Sequence, residues 1–383
     1  MAGFPALPGA ILDGDAVAHF GDPVREQRAL ERGEALAPLT DRTVIELTGS
    51  ERLGWLDSIT SQSVARLGAG ESTELLVLDP QGRVEHVAAV VDDGASTWLI
   101  ADAADAEPLA VWLQRMVFRA DVTVAVRPEL TVVGFFAGAA AEQQAERAAL
   151  APQGVAVVWT DPWPRVQPGG HQYYVGVGGD GSEHPGAGYH WRTAVIDAEA
   201  AAGLAADPST VWAGALAAEA LRIAAWRPRW AAEVDERSLP HETDWIRSAV
   251  HLNKGCYRGQ ETVAKVHNLG HPPRRIAALH LDGSESVLPA PGSPVLAQAA
   301  DGTAEDEVGH VTSAARHHEL GPIALAILSR RAPAGDLVVR TPEGDVAAAQ
   351  EVIVPADAGA TAEVPRLTRL SRRPSAPDPR GAH

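Results

Sequence analysis

Cysteine and lysine are the scarcest chemistry in this chain. One cysteine, Cys256, in 383 residues excludes an intramolecular disulfide framework and any metal or cluster site built from several cysteines of one chain. So few thiols fit a reducing compartment, and a cytoplasmic location is expected. No stretch approaches the roughly 18 consecutive apolar residues that a membrane helix needs, so no membrane partner is expected. Met1 to Leu12 has no basic residue and no long apolar centre, and is not read as a secretory signal. A formal net charge of −18 argues against nonspecific nucleic-acid binding, so an anionic ligand would need its own arginine-lined pocket.

Lysine occurs twice, at Lys254 and Lys265, whereas the other 30 basic residues are arginine. Lys254 lies with the only cysteine in His251-Leu252-Asn253-Lys254-Gly255-Cys256-Tyr257-Arg258-Gly259-Gln260-Glu261-Thr262, and Lys265 follows eleven positions after Lys254. Gly255 and Gly259 flank Cys256-Tyr257-Arg258 and would let the backbone adopt positive φ on both sides. A polar, helix-forming run, Gln260 to Val266, follows at once. Cys256 is therefore expected just before a helix N-terminus, with Lys254 and Arg258 as cationic neighbours. Such surroundings favour the thiolate, the reactive form. The competing reading is a small buried hydrophobe, the commonest state of a lone cysteine. Lys, Gly, Tyr and Arg neighbours favour the functional thiol.

The rest of the chain reads as alternating strands and helices followed by an all-β region. A helix is predicted over Val24 to Glu34 and a strand over Arg42 to Thr48, where apolar residues alternate. Ser50 would cap a helix carrying Leu53, Leu56 and Ile59 on one face. Strands at Glu74 to Leu78, Arg83 to Val91 and Ser96 to Ala101 are joined by Asp79-Pro80-Gln81-Gly82 and Asp92-Asp93-Gly94 turns. A helix over Pro108 to Phe118 and a strand over Asp121 to Val126 complete this unit. Further strands are predicted at Leu130 to Phe136, Val155 to Thr160 and Gln172 to Gly176, with helices at Ala139 to Leu150 and Ser209 to Trp226. The last of these would hold Leu216, Leu221 and Ile223 inward. Beyond the cysteine motif, six strands start near Arg274, Pro294, Glu307, Ile323, Asp336 and Val346. Their short, regular Gly/Pro turns read as a small barrel.

Lys254 to Glu261, with Arg258 at the variable place, resembles the Lys-Gly-Cys-Tyr-x-Gly-Gln-Glu signature of YgfZ-type folate-binding proteins, which assist iron–sulfur cluster assembly or repair. These are relatives of the glycine cleavage T-protein (aminomethyltransferase). The stretch from Thr48 to Asp57, the Leu221-to-Pro228 element and Val308 to Ser313 are similar to parts of the same superfamily. The resemblance covers roughly residues 40 to 355. It implies an α+β fold in a three-domain ring: two α+β folate-binding domains and a C-terminal small β-barrel around a central hole that admits tetrahydrofolate. The first domain would be discontinuous, residues 1–43 and 129–265, wrapping a second of residues 44–128. The barrel would take 270–355. Residues 356–383, rich in Ala, Pro and Arg, read as a disordered tail.

The site implied by the resemblance centres on Cys256, Lys254 and Tyr257. Gly255, Arg258, Gly259, Gln260 and Glu261 would form its loop, and Gln260 and Glu261 would anchor the following helix. Glu85 and His86 lie on the strand where the T-protein carries paired aspartates, so Glu85 is a candidate acid–base group. Trp226, Trp230 and Trp245 cluster before the motif, and one or two of them, Trp226 first, offer a flat partner for a pterin ring, while Arg222, Arg227 and Arg229 offer forks for the folate carboxylates. Ala224 stands where the transferases carry a pterin-recognising glutamate. No histidine group has structural-metal spacing, and no metal is expected.

These features are expected of a cytoplasmic folate-dependent accessory factor whose transient partners are iron–sulfur proteins or assembly factors. A folate-dependent aminomethyl or one-carbon transferase and a non-catalytic folate-binding scaffold are the alternatives.

Overall fold

The N-terminal stretch supplies one strand and one helix to a unit that the chain completes a hundred residues later. The computed structural model describes residues 4, 6–176, 179, 181, 183–284, 287–298 and 304–362. Strands β1 (Ile11–Asp13) and β2 (Ala16–His19) pair as a hairpin. Helix α1 (Pro23–Glu31) starts where Asp22 accepts the Arg25 N–H and Pro23 pre-sets φ. Strand β3 (Ala35–Pro38), wholly buried, follows.

The chain then forms β4 (Arg42–Thr48), α2 (Arg52–Ile59), β5 (Ser72–Leu78), β6 (Val84–Asp92), β7 (Thr97–Asp102), α3 (Ala103–Met116) and β8 (Thr123–Val126). The strands make one antiparallel sheet in the order β5-β6-β7-β4-β8. Because strand side chains alternate, Ile45, Leu47, Leu75, Val77, Leu99 and Ala101 meet α2 and α3 on one face. Val44, Val91, Trp98 and Ile100 point the other way, into a second core.

That second core is shared with a second sheet. It comprises β9 (Thr131–Phe136), β10 (Val158–Thr160), β11 (Trp191–Ile196), β12 (Val211–Trp212) and β3, in the order β10-β11-β9-β3-β12. Helices α4 (Ala140–Ala148) and α5 (Ala198–Ala206) cover its outer face. The two sheets thus face each other with helices outside. Helix α6 (Ala215–Ala224) and the short α7 (Trp230–Glu233) lead to the motif and to α8 (Gln260–Leu269).

A closed six-stranded barrel ends the fold: β13 (Arg274–Leu281), β14 (Pro294–Gln298), β15 (Ala304–His317), β16 (Gly321–Ser329), β17 (Leu337–Thr341) and β18 (Gly344–Val352), in the order β13-β16-β15-β14-β17-β18. The α+β architecture with two facing sheets and a small barrel is therefore present. Another core, containing Leu76, Ile223, Trp245, Val263, Leu325 and Ile353, joins barrel, first sheet and α8.

Four expectations are corrected. Residues 172–176 are not a strand. The helix read over 209–226 is two elements: β12 pairs in parallel with β3, and Gly214 starts α6 with its N–H donated to Glu26 Oε2 at 2.9 Å. On this shorter helix Leu216 is 51% exposed rather than inward. Residues 356–362 are not an unpacked tail. They pack against the last turn of α8, where the Thr361 and Ala362 N–H groups donate to His267 and Asn268 carbonyls at 3.0 and 3.1 Å. The rest of the stretch read as tail, residues 363–383, lies outside the described residues.

Candidate functional site

The cysteine motif is a loop tied down at three points. The Lys254 ammonium donates to the carbonyls of Asp57, Thr60 (3.0 Å) and Gln62 (2.6 Å) at the end of α2, with Asp57 Oδ1 at 3.4 Å. Burial lowers the Lys254 pKa, against the pull of Asp57. Tyr257 is buried beneath this cation, 5.5 Å from ring centre to Nζ. Burial also raises its phenol pKa, and its hydroxyl has no partner among the described residues. Gly259 begins α8 at φ +83°, and a Cβ there would lie 2.6 Å from the Asp79 carbonyl oxygen. Only glycine serves both the backbone and the close approach of the β5–β6 turn.

Cys256 itself is exposed. The cations expected to polarise it are engaged elsewhere: Lys254 at the carbonyls, and Arg258 with Glu85, Nη1 to Oε2 at 2.6 Å. Gly255 takes no positive φ and has no neighbour within 4 Å of a built Cβ, so its predicted backbone role is corrected. Gln260 Nε2 donates to the Lys254 carbonyl at 3.3 Å, closing the loop, while Glu261 is exposed in the first turn of α8, where a negative charge suits the helix dipole.

A cavity of about 160 Å³ lies between the two sheets and α6. Trp159, Tyr189, Trp191, Trp230 and Trp245 supply its aromatic lining. Its polar lining is a lattice of ion pairs. Arg42 meets Asp41 and Asp102, and Arg229 meets the same two carboxylates. Arg222 meets Glu219 and Glu233. Arg227 meets Glu74 at 2.7 Å and Asp161 at 2.9 Å. Burial opposes charge on Arg222 and Arg227, but these carboxylates outweigh it and raise both pKa values. Burial, against the pull of Arg227, pushes Asp161 up to about 6.

The residues singled out from sequence divide between these two places. Arg222 and Arg229 line the cavity, but with carboxylates already on their forks. Trp226 does not line it: held at φ +58°, its ring packs 5.1 Å from Tyr174 and 5.1 Å from His184 in the core. Glu85 sits on the same face of β6 as the cavity-lining Val87 but is not part of the lining, and none of residues 254–261 is. His86 is bound to Asp105 at 2.6 Å. Sequence reading misses Glu74, Asp161, Tyr189 and Trp191. For Glu74 a signal exists, a lone carboxylate in the otherwise apolar Glu-Leu-Leu-Val-Leu run. Among the described residues no group of three or more His, Cys, Asp or Glu is arranged to hold a metal ion. No helix among them is long and apolar enough to cross a membrane.

Two facing sheets, a closed six-stranded barrel and a cavity walled by the 222–230 segment define an aminomethyltransferase-like fold. The structure is similar to the crystal structure of glycine cleavage system aminomethyltransferase T from Bartonella henselae, with a TM-score of 0.66 and 14% identity over 91% of this chain and 94% of that one. In sequence, the chain is 24% identical over 116 residues to an aminomethyltransferase of Chromobacterium violaceum, covering 30% of this chain and 32% of that protein. It is also 24% identical over 326 residues to a chloroplastic protein of Arabidopsis thaliana named as a transferase, covering 80% of this chain and 67% of that protein. No family model matches the chain.

Proposed function

We propose that this chain is a tetrahydrofolate-binding protein that assists assembly or repair of iron–sulfur clusters in other proteins. The observation that carries this reading is the separation of cavity and thiol. The cavity has aromatic walls and buried polar atoms that suit a flat, hydrogen-bonding ligand such as a reduced folate. Cys256 lies outside it, exposed, on a loop fixed by Lys254 and Gly259. A thiol so placed is open to a macromolecular partner and is not part of the ligand's enclosure. One thiol cannot hold a cluster, so cluster contact would be transient, shared with the partner, or replaced by thiol redox chemistry.

The test uses cells lacking the protein, complemented with wild type or Cys256→Ala. A cluster-dependent dehydratase such as aconitase is assayed under oxidative load beside a cluster-free enzyme. The reading expects wild type alone to restore the dehydratase. No restoration by wild type would overturn it.

A one-carbon transferase is the second reading, favoured by the names of the relatives. Ala224 and the engagement of Glu85 by Arg258 weigh against it. It requires turnover of tetrahydrofolate with an aminomethyl donor and loss of that turnover in Glu85→Gln.

A further inference from the structure

Glu74 is the one charged residue of β5 and is 1% exposed. Its Oε2 accepts from Arg227 Nη2 at 2.7 Å, but its Oε1 is buried with no partner among the described residues. Arg227 donates from Nε to Asp161 Oδ2 at 2.9 Å and leaves Nη1 buried and unpartnered. Trp245 is fully buried, and its Nε1 is likewise unpartnered. All four residues belong to the lining of the central cavity. Buried polar atoms are nearly always hydrogen-bonded, so an acceptor and two donors left over in the lining of one cavity call for a bonding partner. By contrast, Arg222 and Arg229, in the same lining, have no orphan atom.

The charge around Glu74 narrows the partner. Arg227 is already paired with two carboxylates, which disfavours the carboxylate tail of a folate as its further partner. What is left over is one acceptor, on a carboxylate, and N–H donors. That set complements an edge with an N–H beside a carbonyl or ring nitrogen.

We propose, on the basis of the folate-binding reading, that Glu74, Arg227 and Trp245 recognise the lactam edge of a flat N-heterocycle, so that the ring end of the ligand, not its tail, enters here. The ring N–H donates to Glu74 Oε1, and the ring carbonyl or nitrogen accepts from Arg227 Nη1 or Trp245 Nε1. Asp161 acts as a positioning residue that holds Arg227.

Calorimetric titration of the full chain tests this with four probes: tetrahydrofolate, 6-methyltetrahydropterin (ring without tail), p-aminobenzoylglutamate (tail without ring) and hypoxanthine (the same lactam edge on another ring). The expected result is binding of the first two by wild type, with p-aminobenzoylglutamate much weaker. Glu74→Gln should weaken both ring ligands about 10- to 100-fold, as loss of a hydrogen bond to a charged group does. Trp245→Phe touches no ion pair and serves if Glu74→Gln fails to fold; it should weaken ring binding about tenfold. Tetrahydrofolate binding unchanged in both variants overturns this inference alone. Hypoxanthine bound in place of folate, with the same dependence on Glu74, upholds it and overturns the folate reading. No binding of any ring ligand overturns both.

Discussion

Lys254 spends its charge on backbone. Its side chain is 4% exposed, and it satisfies carbonyls 192 to 197 positions earlier in the chain. Lys254→Met would strand those acceptors, so a loss of about 2 to 4 kcal/mol is expected in urea unfolding followed by tryptophan fluorescence. Lys254→Arg should not restore it, because a planar fork does not fit a cradle made for a point charge. Asp244 makes a pH-dependent prediction. It is fully buried, and burial, against the pull of Arg247, raises its pKa to about 7. The folded carboxyl keeps a proton that the unfolded chain has lost above about pH 4. Stability therefore falls as pH rises from about 4 to about 7 and stays at its lower level above that. Asp244→Asn suits the left-handed backbone there (φ +60°) and should be more stable than wild type at pH 8. That difference should vanish near pH 4, at a rate of at most about 1.4 kcal/mol per pH unit in parallel melts.

Among the elements, the two motif glycines are not equivalent. Gly259→Ala forces a Cβ against the Asp79 carbonyl at positive φ, and a loss of about 2 kcal/mol or more is expected. Gly255→Ala meets nothing and should shift the melting temperature little. From sequence the two look alike, since the hairpin turn that crowds Gly259 lies some 180 residues away in the chain. The same limit applies to Lys254: its rarity marks it, but its partners come from α2, so sequence points it at the nearby thiol instead. Strand Arg42–Thr48 is legible because Val44, Ile45 and Leu47 form a short apolar run between polar residues that ends at the Gly49-Ser50 turn. Strand β11, Trp191–Ile196, is not legible, because it pairs with strands on both sides and buries both faces, which removes the alternation. Helix α6 loses its predicted first turn to a tertiary bond, Gly214 N–H to Glu26, that no local propensity reports.

On the scale of the molecule, Glu233 joins the barrel to the sheets. It is 2% exposed, accepts from Thr312 (2.8 Å) and Ser313 (2.6 Å) of β15 through one oxygen, and from Arg222 (3.0 Å) and the Arg229 N–H (2.8 Å) through the other. Glu233→Ala leaves a buried guanidinium short of a partner, so a loss of about 3 to 5 kcal/mol is expected. Calorimetry should then resolve the barrel from the remainder as a separate transition. One transition at the wild-type temperature would show that the joint lies elsewhere. The barrel is legible because regular Gly and Pro turns announce it, whereas the division of the preceding chain into two parts comes from the resemblance alone. The cavity is not legible, because its walls come from segments spread between residues 16 and 245, and each lining residue looks ordinary in its own neighbourhood.

The stretch 356–362 lies beyond the barrel in the chain, yet it supplies backbone partners to the far end of the motif helix. Its Gly359, at φ +88°, nestles against the Gly270 carbonyl, where a Cβ would come within 2.4 Å. During synthesis the cysteine loop leaves the ribosome about a hundred residues before these partners do. The helix behind the thiol is thus secured only after the barrel has been made, so a nascent or prematurely terminated chain would present Cys256 on an unfastened helix.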